Sequence, residues 1–465
     1  MKKSCAGRVR RNITLVIAAV FVSVTISFPV MGTGRSQPQI SQWSIGTLNE
    51  GERYGIYPVD WYYDGFRETI SQERLNELVD GVDSKLSQLG LEKDQGFIPS
   101  TYKEDGTRNT VLIRLYNSIG TYKLPDDLQD SKVNAVVYMQ ERGIINGTNK
   151  GLALQTDCTV EQAVVFATRL IEDSYSAVGA GSKGLMWQVN NKGNTVYLLG
   201  SIHVGDTSLY PLHKDVKEAF KDSDMLLVEA DVFNVGAELE EFMKMGMYTD
   251  GTSIKNHISE ETYGKLVEFL ELIGLPDDAY DGFKPWIIAN ELSTLMIADP
   301  NYVEGQIGAS ELGVDMYFLT TSTLMNKPIG ELEGMVSQGN LFNNMPMEVQ
   351  EERLNQILDD ILNPESQAGV ESADLIKLWF EKWNKGDIDG FAESFLEERE
   401  EAASEFESLL FGKRDKDMSD KLVNLLEKDG ETTYFVVVGA GHLVEEGTIV
   451  DILSEKGYKV ERFWE

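Results

Sequence analysis

Cysteine is nearly absent from this chain, with two copies in 465 residues, Cys5 and Cys158. Cys5 lies in a basic leader-like stretch, so the remainder carries one thiol and no intramolecular disulfide is expected. It also precedes the apolar run instead of following it, which excludes a lipoprotein acceptor. Histidine is almost as scarce, with four copies, so a local context shared by two of them carries weight. Basic charge is short as well: 42 Lys and Arg stand against 76 Asp and Glu, a formal net charge of −34. A field of that sign repels phosphate backbones and excludes nucleic acid as a default partner. What is plentiful is apolar surface. Hydrophobic residues at 42% and aromatics at 9% are enough to bury cores, which excludes a wholly disordered chain.

Long apolar runs are lacking too, with one exception. Lys2, Lys3, Arg8, Arg10 and Arg11 precede an uncharged apolar stretch over 13–31. A basic n-region before such a run is the pattern of a secretory signal, with Gly32 and Gly34 as cleavage points. The run is also close to the ~20 residues that span a bilayer, so an uncleaved N-terminal anchor is the rival reading of 1–34. No second run of that kind follows. Both readings therefore export the rest of the chain, to secretion or to the cell surface.

Length alone suggests roughly three units, at about 150 residues each. Over 71–89, Leu75, Leu78, Val79, Val82 and Leu86 recur at helical spacing. Further helices are expected over 111–116, over 133–142 and from Thr159, which caps a run to Ile171. The stretch "VNAVVYMQERGIINGTNKGLALQTDCTVEQAVVFATRLI" resembles an S-layer homology repeat: a helix, a "GIING" turn, an extended piece and a second helix. That family opens its second helix with a Thr-Arg-x-Glu element. This chain has Thr159-Val160-Glu161-Gln162 there, without the Arg. "FIPSTYKEDGTRNTVLIRLYNSIG" is similar to the second half of an earlier copy, with Thr107-Arg108 in place. The resemblance implies a helical region over 35–175, clearest over 126–175, that binds secondary cell-wall polymer or acts as a spacer. Ser, Ala and Gly over 176–183 read as a linker.

Beyond the linker, 184–465 reads as one α/β unit. Strands are expected at 195–199, 225–228, 328–330, 434–438 and 458–463. Helices are expected at 286–297, 349–361, 375–383 and 391–406, giving a mixed or parallel sheet with a helical insertion between Asn343 and Phe411.

Two of the four histidines share one context. "TVYLLGSIH" ends in Gly200-Ser201-Ile202-His203, and "YFVVVGAGH" ends in Gly439-Ala440-Gly441-His442. Each is an apolar strand, a glycine that lets the backbone turn, two residues, then an imidazole at the carboxyl edge where α/β sheets bind ligands. "MLLVEAD" brings Glu229 to another strand end, and "KPIGELE" brings Glu331 and Glu333 to a fourth. A buried charge at a strand end is costly unless it is paired or bound to a cation. Two His and a Glu converging at one edge fit a metal site with an open position, a spare carboxylate serving as base. A phosphate- or acid-binding histidine pair, or histidines with structural roles, fit the same pattern.

"GSIHVGDTSLYPLHKDVKEAFKDSDMLLVEAD", "FKPWIIANEL", "GVDMYFLTTSTLMNKPIGELE" and "VVVGAGHLVEEGTIVDILSEKGYKVERFW" resemble the TraB/GumN family, whose animal relatives are the Tiki proteases. The similarity runs in order over nearly all of 184–465. It implies a metal-dependent hydrolase acting on peptides, with manganese or cobalt as the ion and zinc as a further candidate. On the matching positions, His203, His442 and Glu229 would hold the metal. Glu333 would be the base, and Arg414 would stabilise developing oxyanion charge. The roles of Glu229 and Glu333 are interchangeable at this stage. The family usually has Arg-Asn where this chain has Arg414-Asp415. A non-catalytic surface protein that binds a signalling peptide or a haem-like ligand is the alternative function, and a mainly structural surface protein is a third.

Other candidates read more plainly. His213 is expected on a solvated helix face, and His257 at a helix entry. Lys284-Pro285-Trp286 either lines a cleft or packs at a helix start. The acidic run 397–401 is expected to be a solvated face.

Overall fold

The computed structural model describes residues 38–125, 134–147, 151–234, 236–295, 308–363, 366–397 and 410–464. The leader 1–34 and residues 398–401 of the acidic run lie outside the described residues. Among the described residues no helix is long and apolar enough to cross a membrane.

Six strands form one mixed sheet. They are β1 (Leu185–Asn191), β2 (Asn194–Ser201), β3 (Met225–Val228), β4 (Ile329–Glu331), β5 (Thr433–Gly439) and β6 (Val460–Arg462), in the order β4-β3-β5-β2-β1-β6. The four strands from β4 to β2 run parallel, and β1 and β6 are antiparallel additions at one edge. β5 is buried along almost its whole length, as its run of Tyr, Phe and Val requires of a parallel strand covered on both faces. Phe220 of the Lys214–Asp222 helix packs edge-on and Phe318 of the Val314–Met325 helix packs tilted against Phe435 of β5, at 5.4 and 4.9 Å between ring centroids.

β1 is the strand that the sequence patterning passes over. It pairs with β2 through the two-residue turn Lys192-Gly193, whose φ angles of 50° and 89° are both positive. That is the backbone a two-residue hairpin needs to match strand twist.

The insertion is helical as expected, with Met347–Leu362, Gln367–Lys385 and Ile388–Glu397 as its helices. Trp383 Nε1 donates to the Gly200 carbonyl at 2.7 Å, tying the insertion to the end of β2. Trp286 is wholly buried and stacks on Phe342 at 5.8 Å, so the Lys284-Pro285-Trp286 segment is a helix start packed into the core.

The N-terminal region is helical, with Gln72–Ser87, Arg108–Gly120, Ala135–Glu141 and Val160–Ala177 among its helices. Thr159 and Gln162 form a reciprocal capping box, the two-way satisfaction of free helix-end donors. The helix they open runs six residues past Ile171, to Ala177. Residues 176–183, read as a linker from composition, are bonded on both sides: Ser182 N donates to Pro211 O at 2.9 Å and His213 N to Ser182 O at 2.8 Å. One apolar core runs without a break from Leu48 and Ile171 into Leu185 and Val436.

His213 corrects the expectation of a solvated position. It is 6% exposed, caps the Lys214–Asp222 helix through Nδ1, and packs edge-on against Trp464 at 4.9 Å. The charged helix start that follows His213 hides this aromatic partner, which lies more than two hundred residues further along the chain. His257 follows a short helical turn, bonds Thr252 Oγ1 at 2.8 Å and stacks on Tyr248 at 4.4 Å, away from the sheet.

Candidate functional site

The parallel order β4-β3-β5-β2 brings four strand ends to one edge, and each is followed at once by a candidate residue. Ser201 pairs in register with Gly439, Val228 with Val437, and Val228 with Glu331. Glu333, Glu229, His442 and His203 therefore follow neighbouring strands, which lie about 4.8 Å apart.

Arg414 binds both glutamates. Its Nη2 donates to Glu229 Oε2 at 2.9 Å and Glu333 Oε2 at 2.6 Å, its Nε to Glu333 Oε1 at 2.8 Å, and its Nη1 to Leu410 O at 2.9 Å. Four of those five N–H groups are thereby used. Gln338, which the sequence did not single out, donates Nε2 to Glu229 Oε2 at 3.0 Å and Glu333 Oε2 at 3.4 Å. The other oxygen of Glu229, Oε1, accepts from Gly439 N at 2.7 Å and lies 3.9 Å from His442 Nε2. Burial alone would raise the Glu333 carboxyl, but its bonds to Arg414 win and hold it below the ordinary value. Burial likewise opposes the Arg414 charge, and the two glutamates overcome it and raise its pKa. A carboxylate held charged by a bidentate guanidinium is a weak proton acceptor, whereas its grip on Arg414 is strong.

The two histidines are built on one plan. His442 Nδ1 lies 2.8 Å from Asp415 Oδ1, and Asp415 Oδ2 accepts from Gly412 N at 2.7 Å. Both side chains are fully buried. His203 Nδ1 lies 2.6 Å from Asp315 Oδ2, and Asp315 Oδ1 accepts from Ser201 Oγ at 2.8 Å. Burial pulls the His203 pKa down, and the Asp315 carboxylate more than offsets it, leaving it above the ordinary histidine value. The charges of Glu229 and Arg414 also reach His203, so it belongs to the same electrostatic cluster. Its Nε2 is buried and has no hydrogen-bond partner among the described residues.

Glycine is required where the segments carrying His203 and Asp315 meet. A Cβ on Gly313 would lie 2.3 Å from the His203 carbonyl oxygen, so only glycine lets the segment carrying Asp315 approach. Glu331, the neighbouring strand-end carboxylate, instead accepts from Asp231 N at 2.7 Å.

The edge thus gathers His203, Glu229, Glu333, Arg414 and His442, each named from sequence, and adds Asp315, Asp415 and Gln338. Asp415 stood in view as the departure from Arg-Asn. Asp315 lies in the quoted "GVDMYF" segment but has no local signal that ties it to a histidine over a hundred residues earlier.

The sequence profile of the TraB/PrgY/gumN family matches residues 185–462, more than half of the chain. The chain belongs to this family. Metalloprotease TIKI2 of Xenopus tropicalis is 23% identical over 303 residues, 57% of each chain. The Metalloprotease TIKI homolog of Nematostella vectensis is 25% identical over 308 residues, 57% of this chain and 64% of its own. The uncharacterized protein YbaP of Escherichia coli is 25% identical over 150 residues, 32% of this chain and 52% of its own. The chain spans somewhat over half the length of these curated relatives. No solved structure matches it.

Proposed function

We propose that this TraB/PrgY/gumN protein is a metal-dependent hydrolase of peptide bonds, exported by its N-terminal segment. His203, His442 and Glu229 hold one divalent cation, with Arg414 and Glu333 beside it. The observation that carries this reading is the repeated histidine arrangement. A carboxylate at Nδ1 leaves Nε2 as the lone-pair nitrogen, which is how metal-binding imidazoles are oriented.

Two features bear on whether the residues suit an ion. Four carboxyl groups (Glu229, Glu333, Asp315 and Asp415) cluster with one guanidinium in largely buried surroundings. Buried carboxyl groups in such excess call for a cation. His203 Nε2 is a buried atom without a partner among the described residues. Against these stands the finding that, among the described residues, no three His, Cys, Asp or Glu side chains are already set to hold a metal ion. The donor set fits in kind: Arg414 takes Glu229 Oε2, and Glu229 Oε1, which accepts one bond from Gly439 N, is the oxygen that faces His442 Nε2 at 3.9 Å.

A bound divalent ion there supplies Lewis acidity toward a carbonyl and activates water. The chain's own residues do the rest. Asp415 keeps the His442 imidazole in the tautomer that donates Nδ1–H, and the Asp315 carboxylate, 2.6 Å from His203 Nδ1, favours the same tautomer there. Glu333 holds the Arg414 guanidinium at the strand edge, and Arg414 keeps one Nη1 N–H for a developing oxyanion. The name metalloprotease borne by the TIKI relatives supports peptide bonds as the substrate class.

The test is hydrolysis of a mixed peptide library by the purified protein with Mn²⁺, with Co²⁺ and with a chelator. Metal-dependent cleavage lost in His442→Ala supports the reading. Cleavage unaffected by chelator, or none with either ion, sinks it and favours a binding protein. Export is checked by N-terminal sequencing of the native protein, expected to begin near Gly32 to Gln39. Wall-polymer binding by the 35–175 region is a separate proposal, tested by co-sedimentation of the full chain with purified cell walls.

A further inference from the structure

The segment after His203 and the segment carrying Asp315 are both braced from outside the 185–462 stretch that defines the family. Lys85, on the Gln72–Ser87 helix, donates Nζ to the Thr207 carbonyl at 2.7 Å, four residues past His203. It is 2% exposed, and its own carbonyl accepts from Tyr175 OH at 3.0 Å. Beside it, Gly55 turns at φ 66°, and a Cβ there would meet Thr207 Cγ2 at 2.9 Å.

A second brace lies on the helix that carries Asp315. Tyr317 OH donates to Glu50 Oε1 at 2.7 Å, and Glu50 Oε2 accepts from Tyr54 OH at 3.1 Å and Lys217 Nζ at 3.0 Å. Asn49 Nδ2 donates to Thr321 Oγ1 one turn further along. The two braced segments are stitched to each other: Val314 N donates to Ile202 O at 2.9 Å, Gly205 N to Ala309 O at 2.8 Å, and Tyr210 OH to Leu312 O at 2.9 Å.

We infer that Lys85 and the helical stretch 49–55 are positioning elements for the His203–Asp315 pair, so that the N-terminal helical region completes half of the site. This rests on the reading of His203 as a metal-holding residue, and it goes further by making an extra-family region part of the site's support. The physical reason is that His203 stands on a connection and not on a strand or a long helix. His203 and Thr207 lie between the end of β2 and the Lys214–Asp222 helix, and a loop holds an imidazole in register only where its carbonyls and flanks are fixed by something rigid. A buried ammonium on a loop carbonyl is such a fixture, since freeing either partner leaves an unpaired buried group.

The chain's four histidines make ¹⁵N-histidine spectra simple to assign. In Lys85→Met, full-length, the ring resonances of His203 shift or broaden while those of His442 stay where they are. Mn²⁺, added alone and followed by calorimetry, binds about tenfold more weakly, the low end for loss of a supporting contact behind a metal-holding histidine. A folded Lys85→Met chain with unchanged His203 resonances overturns the inference. If the wild-type chain takes up no Mn²⁺, the metal reading fails, and the resonance comparison still decides whether the brace acts. Should circular dichroism find Lys85→Met unfolded, Tyr317→Phe, which removes one hydroxyl, takes its place. It is expected to move His203 in the same direction and leave His442 alone, and an unmoved His203 there overturns the inference equally.

Discussion

His442 and His203 end neighbouring parallel strands with the same Gly-x-x-His spacing, and each offers Nδ1 to an aspartate, yet their surroundings differ. His442 and Asp415 are 0% exposed, whereas the His203 and Asp315 side chains are 10% and 16% exposed. The His442 half is walled by β5, the Lys413–Leu426 helix and Phe411, all near it in the C-terminal part of the chain. The His203 half relies on Trp383 from the insertion and on Lys85 and Glu50 from the N-terminal region. The difference teaches that one motif can be rigid by burial in one copy and by bracing in the other. Variants should separate the two.

The largest effect is expected where the two halves meet their shared anchor. Arg414→Met leaves Glu229 and Glu333 buried without their cation and should cost about 3–5 kcal/mol, the usual price of breaking a buried pair from one side. Urea denaturation checks this, and a loss below about 1 kcal/mol would mean that the carboxyl groups find other partners. Next come the aspartates. Asp415→Asn and Asp315→Asn should each weaken Mn²⁺ binding by about 10–100-fold, as loss of the group behind a ligating histidine does. The Asp415 change should lie at the upper end because Asp415 is wholly buried and also holds Gly412 N. Equal losses in calorimetry would erase the distinction between the halves.

A smaller effect concerns pH. Asp315 raises the His203 pKa above its ordinary value of about 6.5. A base whose folded pKa is raised adds stability that is full below the unfolded pKa and is lost as pH rises through the folded one. The wild-type metal-free chain should therefore lose a little stability on going from about pH 6 to 8, and Asp315→Asn should flatten that slope. Urea midpoints across that range test the sign, and a slope unchanged in Asp315→Asn contradicts it.

Much of the edge was legible because it is locally written. An apolar strand that stops at a glycine and delivers His or Glu announces both the strand and its end, and β2, β3 and β5 lie where that pattern puts them. Glu229 and Glu333 were visible for the same reason. Their joint capture by Arg414 was not, because it depends on a helix that returns to the edge after the insertion. Asp315 and Gln338 sit on helices whose apolar spacing explains the helix and says nothing of the polar residue's partner. The sequence pattern does not mark β1, although Lys192-Gly193 carries a hairpin signal, since its buried start lacks the alternation of a half-exposed strand. Composition reads 176–183 as a linker, and composition does not register that Ser182 N donates to the Pro211 carbonyl.

The central claim is that the two imidazoles hold one ion between them. Metal content of purified full-length protein after equilibration with Mn²⁺ tests it most directly, in the wild type, His203→Ala, His442→Ala and the double variant. One ion per chain in the wild type, lost in each single variant while the fold persists, is the predicted result. Stoichiometric ion retained in the double variant would contradict the account.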